Sequence, residues 1–153
     1  MYRVIKKEKL TPLIYYFELE APRIAESALP GQFLIVKIGD KGDFIDNVLG
    51  PLGKPSEFVE FTGDALKNMR YLFVAGGVGA APIYPQVKYL YDRGVEVDVI
   101  LGARNKDLII LEDKLNEVCS NLYVCTDDGS KGEKGVVTNL MEKLVAEGDK
   151  YDM

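Results

Sequence analysis

The chain has 153 residues, enough for one well-packed domain or two small ones, and 47% hydrophobic with 28% charged residues is a globular composition. Its net charge of −5 argues against a nucleic-acid partner, because phosphate binding requires clustered Lys and Arg. Histidine is absent, which removes the usual general base and the commonest metal ligand, so any chemistry here would be carried by a cofactor.

The two cysteines give no sign of a metal or cluster site. Cys119 and Cys125 are six residues apart, a spacing that matches no zinc or iron–sulfur pattern, and they are predicted to be buried, reduced thiols. The N-terminal sequence MYRVIKKEKL has no apolar h-region, and the apolar stretch 71–85 is too short and too broken by Gly and Pro to cross a membrane. We therefore expect a cytoplasmic protein with no membrane partner.

The first part of the chain is predicted to form antiparallel β structure. Strands are indicated over residues 2–9, 12–20 and 32–38, with a loop over 21–31 and a turn at 39–42. Residues 43–70 are predicted to be a connection rather than an element, because four turn residues fall within six positions: Gly50, Pro51, Gly53 and Pro55.

The pattern changes near Arg70, where strands begin to alternate with helices. Short apolar strands are indicated over 72–75, 95–101 and 122–125, and helices over 82–93, 111–118 and 136–147, the last with Gly148 at its C-terminal cap. This alternation is typical of βαβ units and a parallel sheet. We therefore predict two domains, an antiparallel β domain over residues 1–70 and a parallel-sheet domain with flanking helices over 71–153.

The stretch YLFVAGGVGAAP over residues 71–82 has the order strand, glycine loop, helix. Gly76, Gly77 and Gly79 would let main-chain N–H groups approach a phosphate, and the helix N-terminus would add partial positive charge. Pro82 stands where the third glycine of the dinucleotide fingerprint belongs, and no acid ends the next strand, so an ordinary Rossmann dehydrogenase is disfavoured. The alternative interpretation is a tight turn without a ligand.

Two more loops are expected at the same edge, because ligands of parallel sheets lie beyond the carboxyl ends of the strands. The Arg104 side chain could bind a ribose or phosphate oxygen, or be a solvated surface arginine. Asp127 and Asp128 could accept hydrogen bonds from ribose hydroxyls or the nicotinamide amide and repel an extra phosphate, or form a plain turn. A paired-carboxylate acid/base site is less favoured, since adjacent side chains point apart.

Five motifs occur in an order that resembles the ferredoxin–NAD(P)H reductase superfamily. They are Pro30-Gly31-Gln32-Phe33, Gly50-Pro51-Leu52-Gly53, Gly76-Gly77-Val78-Gly79-Ala80-Ala81-Pro82, Gly102-Ala103-Arg104 and Thr126-Asp127-Asp128-Gly129. Within it, the chain is most similar to the electron-transfer subunits of dihydroorotate dehydrogenase B, of sulfide dehydrogenase and of the NADH-dependent ferredoxin:NADP oxidoreductase.

The resemblance implies an FAD-binding β-barrel over residues 1–70 and an NAD(P)-binding domain over 71–153. In such proteins hydride passes from NAD(P)H to FAD, and electrons leave through a [2Fe–2S] cluster to a larger catalytic subunit. The implied NAD(P) contacts are Gly76, Gly77, Val78, Gly79, Ala80, Pro82, Gly102, Arg104, Thr126, Asp127, Asp128 and Gly129. The residues implied near FAD are Pro30, Gly31, Gln32, Phe33, Gly50, Pro51, Leu52 and Gly53. No residue is assigned a catalytic role, because the cofactors carry the chemistry.

The sequence departs from the family at two places. The family's flavin-holding Arg-x-Pro-Leu-Ser/Thr motif and the strands after it have no counterpart between Gly42 and Asp43, so the barrel is expected to be incomplete and FAD binding weak. After residue 153 the family runs on into another strand and then its cysteine-rich cluster segment, so the NAD(P)-binding domain over 71–153 is expected to be truncated and no cluster ligand is expected in this sequence. The acidic pair favours NAD(H) over NADP(H). The alternatives are a nucleotide-binding or subunit-docking module that has lost electron transfer, and a stand-alone flavin reductase.

Overall fold

The computed structural model describes residues 1–39 and 44–153 and divides into two compact units, Met1–Val59 and Glu60–Met153. The boundary predicted from the sequence, near Arg70, lies about ten residues after the division in the structure, because residues 60–70 belong to the second unit. Leu66, in the short helix α2 (Asp64–Lys67), is buried, and the Arg70 guanidinium lies 3.3 Å from the Asp149 carboxylate. The cofactor assigned to each unit stays a prediction.

The first unit is a four-stranded antiparallel sheet in the order β2-β1-β4-β3. Its elements are β1 (Tyr2–Lys9), β2 (Tyr15–Leu19), α1 (Pro22–Ser27), β3 (Phe33–Ile38) and β4 (Phe44–Leu52). All three predicted strands are present, with β2 shorter than expected at its N-terminal end. The predicted loop over residues 21–31 contains α1, which begins with a proline, the residue whose fixed φ suits the first helical position.

The prediction that residues 43–70 form a connection is wrong at its start, where β4 lies. This strand pairs antiparallel with β3, and its side chains Ile45 and Val48 are buried. Gly50 and Pro51 come near the end of the strand, where the pairing register with β3 shifts and the peptide bond between them is cis. A bulge near a strand end accommodates Gly and Pro that would break a regular ladder. The predicted turn at residues 39–42 lies mostly outside the described residues.

The sheet of the first unit is a half-barrel with an uncovered apolar strand. Every residue of β3 is exposed, including Phe33 at 57%, Ile35 at 55% and Ile38 at 69%. A sheet of a folded domain normally packs at least one face against a core. The exposed strand therefore marks the incomplete barrel that the sequence predicts.

The second unit is a parallel sheet in the order β5-β6-β7-β8 with helices packed against it. The strands are β5 (Tyr71–Gly76), β6 (Val97–Ala103), β7 (Asn121–Thr126) and β8 (Glu133–Lys134), and the helices after α2 are α3 (Ala80–Tyr91), α4 (Glu112–Asn116) and α5 (Val137–Ala146). The central strand β6 is buried at every residue, as its continuous apolar pattern predicts.

Helix α5 packs its apolar side against the sheet. Leu140 and Leu144 form a buried cluster with Ile100 of β6 and Cys125 of β7. After the helix, Gly148 adopts a φ of +103°, and the next N–H, that of Asp149, donates to the Leu144 carbonyl oxygen at 3.1 Å. This is the glycine C-cap that the sequence predicts. None of the helices in the described ranges has the length and apolar character needed to cross a membrane.

Candidate functional site

A cleft of about 370 Å³ opens at the edge where β5, β6 and β7 end. The strands are parallel and in register, with Gly76 opposite Gly102 and Gly102 opposite Cys125, so their following loops emerge side by side. The cleft is lined by Gly76, Gly77, Gly102, Ala103, Arg104, Leu108, Asp127, Val136 and Val137. The three loops thus meet at one edge as the sequence predicts, while the binding roles of their residues stay predictions.

The glycine bend after β5 leaves room for another molecule. A Cβ atom placed on Gly76 or Gly77 would meet no protein atom within 4 Å. Gly76 has an ordinary extended backbone, with φ −112° and ψ 127°, whereas Gly77 has a φ of +56° that favours glycine. Packing within the described chain therefore does not require glycine at position 76, and the space beside it is open on the cleft side.

Main-chain hydrogen bonds connect the loops after β6 and β7. The Asp127 N–H donates to the Ala103 carbonyl oxygen at 3.1 Å, and the Asp128 N–H donates to the Arg104 carbonyl oxygen at 3.2 Å. The Ser130 hydroxyl accepts a third hydrogen bond, from the Lys106 N–H at 2.8 Å. Arg104 and Asp127 are exposed side chains on a backbone that these bonds hold in place.

The two adjacent aspartates have different environments. The Asp127 side chain lines the cleft, whereas the Asp128 carboxylate accepts a hydrogen bond from the Ser130 N–H at 2.9 Å. Hydrogen bonding from the Ser130 side chain and N–H lowers the pKa of Asp128. Asp128 therefore shapes the loop, and the two carboxylates do not share an acid/base site in the cleft.

Thr126 also supports this loop from inside. Its side chain is fully buried, and its hydroxyl donates to the Lys131 carbonyl oxygen at 2.8 Å and accepts from the Lys131 N–H at 3.0 Å. Among the residues described here, the predicted nucleotide contacts that do not line the cleft are Val78, Gly79, Ala80, Pro82, Thr126, Asp128 and Gly129.

Sequence reasoning missed the apolar wall of the cleft. Leu108 follows β6 in a 3₁₀ turn, and Val136 and Val137 stand at the start of α5. A Cβ atom on Gly102 would collide with the Val137 side chain and lie 3.2 Å from the Cys125 sulfur, so this glycine is required by packing. The sequence predicts a helix over residues 136–147, but its pattern gives no signal that the start of this helix borders the cleft.

The residues predicted near FAD come together within the first unit. The Gln32 side-chain amide donates to the Gly53 carbonyl oxygen at 3.0 Å, and Phe33 pairs with Leu52 across β3 and β4. Their glycines are explained by the chain's own packing, since a Cβ on Gly31 would lie 2.5 Å from the Ser56 hydroxyl oxygen. These residues show no cradle that awaits a cofactor, and their contact with FAD stays a prediction.

No family model matches the chain, but solved structures with the same fold are found. The structure of an NADH-dependent reduced ferredoxin-NADP oxidoreductase, described in connection with flavin-based electron bifurcation, matches with a TM-score of 0.78 and 31% identity over 96% of this chain and 64% of that one. Ferredoxin-NADP⁺ reductase from Plasmodium falciparum matches with a TM-score of 0.63 at 15% identity, over 95% of this chain and 78% of that one. The protein therefore has a ferredoxin reductase-like fold, as predicted.

Curated relatives place the chain more narrowly. A Clostridium beijerinckii protein described as an uncharacterized protein in the adh 3′ region is 43% identical over 99% of this chain and 64% of its own length. A Thermotoga maritima homologue of the dihydroorotate dehydrogenase B (NAD(+)) electron transfer subunit is 34% identical over 98% of this chain and 63% of its own length. The chain is thus a homologue of such electron transfer subunits, which confirms the resemblance, and it spans less than two thirds of these relatives.

The alignments also contain positions that this chain lacks. The alignment to the C. beijerinckii protein runs over 190 positions, which exceeds the 153 residues of this chain by 37. The alignment to the T. maritima protein runs over 187 positions, an excess of 34. Both gaps support the expectation that an internal segment of the family is missing here.

Proposed function

We propose that this chain is the nicotinamide-nucleotide-binding part of an electron-transfer subunit, which works with a larger catalytic oxidoreductase subunit. The observation that carries the proposal is the glycine bend at Gly76 and Gly77, which opens onto the same cleft as Arg104 and Asp127. The names of the homologues support the same assignment.

Each part of the cleft suits one part of a nicotinamide dinucleotide. The main-chain N–H groups of the glycine bend and the start of α3 would bind the pyrophosphate, since no Cβ keeps it at a distance. The Arg104 guanidinium would neutralise phosphate charge, and the Asp127 carboxylate would accept hydrogen bonds from ribose hydroxyls. These groups position the nucleotide and take no part in bond breaking.

The carboxylates favour NAD(H) over NADP(H). Asp127 lines the cleft, and Asp128, whose pKa is lowered by hydrogen bonds from Ser130, follows it in the same loop. A ribose 2′-phosphate beside Asp127 would place two negative charges close together, which disfavours binding.

The flavin and the iron–sulfur cluster are proposed from the family alone. A flavin supplies the ability to take hydride from reduced nicotinamide and release electrons singly. The residues present do not demonstrate a flavin cradle, and the described part of the chain has no group of three or more His, Cys, Asp or Glu side chains placed to hold a metal.

A second candidate function is a nucleotide-binding or subunit-docking module without electron transfer. The observation that favours it is the half-barrel, whose strand β3 is exposed along its whole length. A chain that binds the nucleotide but holds no flavin would bind NADH without turnover.

Calorimetric titration with NADH tests the nucleotide site, with Arg104→Ala compared with Arg93→Ala. Arg93 follows the C-terminal end of α3, stacks on Tyr89 and does not line the cleft. We expect Arg104→Ala to weaken NADH binding by about tenfold or more, since a hydrogen bond to a charged group contributes about 1.5–3 kcal/mol, and Arg93→Ala to leave it unchanged. Absence of NADH binding by the unaltered protein would overturn the proposal.

Electron transfer is tested separately with an artificial acceptor and added FAD. Oxidation of NADH under these conditions supports the electron-transfer subunit. Binding of NADH without oxidation supports the module that has lost electron transfer.

A further inference from the structure

Strand β3 is an edge strand of the first unit's sheet. In the order β2-β1-β4-β3 it pairs with β4 on one side, and the sheet ends on the other. In the part of the chain that the structure describes, residues 33–38 make no main-chain hydrogen bond outside the β3–β4 ladder. An edge strand presents a row of unpaired N–H and C=O groups, so the outer edge of β3 can accept another strand.

The other sheet edges among the described residues have features that discourage such pairing. Strand β8 has two residues, and along β5 the Leu72 N–H donates to the Met153 carbonyl oxygen at 2.8 Å. On β2, the Lys7 ammonium of the neighbouring strand lies 5.4 Å from the centre of the Tyr15 ring and 5.7 Å from that of Phe17. Short strands, covering segments and lysine charges are the usual protection of sheet edges.

Strand β3 lacks these protections. Its sequence, FLIVKI, has one charged residue in six and no proline, and every residue is exposed. At both register shifts in the β3–β4 ladder the extra residue is on β4, since β3 advances by two residues where β4 advances by three, and by one where β4 advances by two. Strand β3 is therefore regular, without the bulge that would turn its edge away from a partner.

We propose that β3 pairs antiparallel with β3 of a second copy of this chain, around a twofold axis perpendicular to the sheet. The two four-stranded sheets would join into one sheet of eight strands. This pairing uses the main-chain groups of the edge and leaves the faces of the sheet open. The proposal goes beyond the proposed nucleotide-binding function and does not depend on it.

The position of the one charge in β3 suits a second copy as the partner. Opposite residues of an antiparallel pair lie on the same face of the sheet, and side chains alternate along a strand, so the twofold axis has to pass through a residue. With the axis at Ile35, Lys37 lies opposite Phe33 of the second copy, and with the axis at Val36 it lies opposite Ile35 of the second copy. Lys37 therefore does not face its own copy, a placement of like charges that would be destabilising.

The same symmetry limits the assembly to two copies. An isologous twofold contact uses one surface on both partners and is complete once they have joined. Pairing along one short strand buries less area than a stable dimer interface usually does, so we expect a weak, concentration-dependent dimer.

Sedimentation equilibrium tests the proposal over about 1 to 300 µM protein, the range suited to a weak interface. We expect the apparent mass to rise from 17.0 kDa toward twice that value. Amide hydrogen exchange at both ends of this range is a second readout that needs no substitution. The β3 amides are expected to gain protection at the higher concentration, because the outer edge is then paired.

Substitutions to lysine test the edge and locate the axis. Ile35→Lys and Val36→Lys each place like charges opposite each other in one of the two registers, so we expect one of them to weaken the dimer by about tenfold or more and the other less. The control is Leu49→Lys. Leu49 lies opposite Ile35 on the inner strand β4 and is similarly exposed, 59% against 55%, and this variant is expected to dimerise normally.

A mixing experiment separates lost pairing from lost folding. The lysine variant that abolishes the dimer and the glutamate variant of the same residue, Ile35→Glu or Val36→Glu, are each expected to be monomeric alone and to form a mixed dimer, since opposite charges then face each other.

Five results would overturn the proposal: a mass of 17.0 kDa at every concentration, assemblies of more than two copies, dimers that survive both lysine substitutions, a mixture that stays monomeric, or a Leu49→Lys protein that dimerises as poorly as the edge variants. The first would leave the edge to a strand of another protein, and the last would show that the faces of the sheets stack.

Discussion

Gly76 and Gly102 lie opposite each other on β5 and β6, yet each is glycine for a different reason. A Cβ on Gly102 would run into the Val137 side chain, whereas a Cβ on Gly76 would project into open space at the cleft. The sequence shows both glycines at strand ends, but only the packed structure separates a residue that fits α5 against the sheet from one that leaves room for a ligand.

This difference predicts opposite effects of two alanine substitutions. Gly102→Ala is expected to lower the unfolding free energy by about 1–3 kcal/mol, the usual cost of overpacking, because Val137 has to move. Gly76→Ala is expected to change stability by about 0.5 kcal/mol or less and to weaken NADH binding about tenfold or more. Urea unfolding and calorimetric titration measure the two effects. A destabilised Gly76→Ala protein, or one that binds NADH normally, would contradict the role given to the glycine bend.

At the scale of elements, the sequence predicts the second unit well because its signals are local. The apolar runs over β5, β6 and β7 are strands of the parallel sheet, and β6 is buried at every residue, while the helix predicted over residues 136–147 is α5 with Leu140 and Leu144 packed on the sheet. Strand β4 escapes prediction because its pairing with β3 is a long-range contact, and its Gly and Pro are ordinary turn signals. The positions of Leu108 and Val136 are likewise hard to predict from local signals. Leu108 lies in the 3₁₀ turn between β6 and α4, Val136 lies at the start of α5, and only the folded chain brings both to the cleft.

The C-terminal residues attach to the sheet through Asp98, a buried carboxylate in β6. The Tyr151 hydroxyl donates to Asp98 at 2.9 Å, the Asn121 amide donates at 2.8 Å, and the Arg70 guanidinium lies 3.5 Å away. The Leu72 N–H donates to the Met153 carbonyl oxygen at 2.8 Å, so the last residues lie along β5. Burial, followed by the hydrogen bond to Asp98 and its charge, raises the pKa of Tyr151.

This raised pKa predicts a loss of stability at alkaline pH. The folded protein holds the Tyr151 proton more tightly than the unfolded chain does. The contribution of Tyr151 to the free energy of unfolding is therefore complete below the unfolded pKa of about 10 and declines as pH rises above it. At pH 7, Tyr151→Phe is expected to be less stable than the unaltered protein, because it loses a hydrogen bond to a charged group. Between about pH 9.5 and 11.5 it is expected to lose less stability than the unaltered protein does. Urea unfolding over this range measures both slopes, with Tyr91→Phe on the exposed surface of α3 as the control. Equal slopes for Tyr151→Phe and the unaltered protein would refute the coupling.

At the scale of the whole molecule, the two units differ in how far their strands are buried. The second unit surrounds a fully buried central strand, whereas the first has a four-stranded sheet whose strand β3 is exposed throughout. Within the aligned span, the C. beijerinckii relative has at least 37 further positions and the T. maritima relative has at least 34. We expect these further positions to include a segment that would pack on the exposed apolar strand β3.

The missing cover predicts how the purified protein behaves toward flavin and toward apolar dyes. Side chains and backbone of the first unit already fill the space beside its glycines, so we expect little flavin absorbance after purification. Because strand β3 is exposed, we also expect strong fluorescence of bound anilinonaphthalene sulfonate. Substituting Ile35 and Ile38 by lysine together is expected to reduce the dye signal with little change in stability, since both side chains are exposed. Lysine in place of Val74, 37% exposed on β5 of the second unit, is the matched control and is expected to leave most of the dye signal. A yellow protein with one flavin per chain, or a dye signal that the double substitution does not lower, would show that the half-barrel is covered in solution.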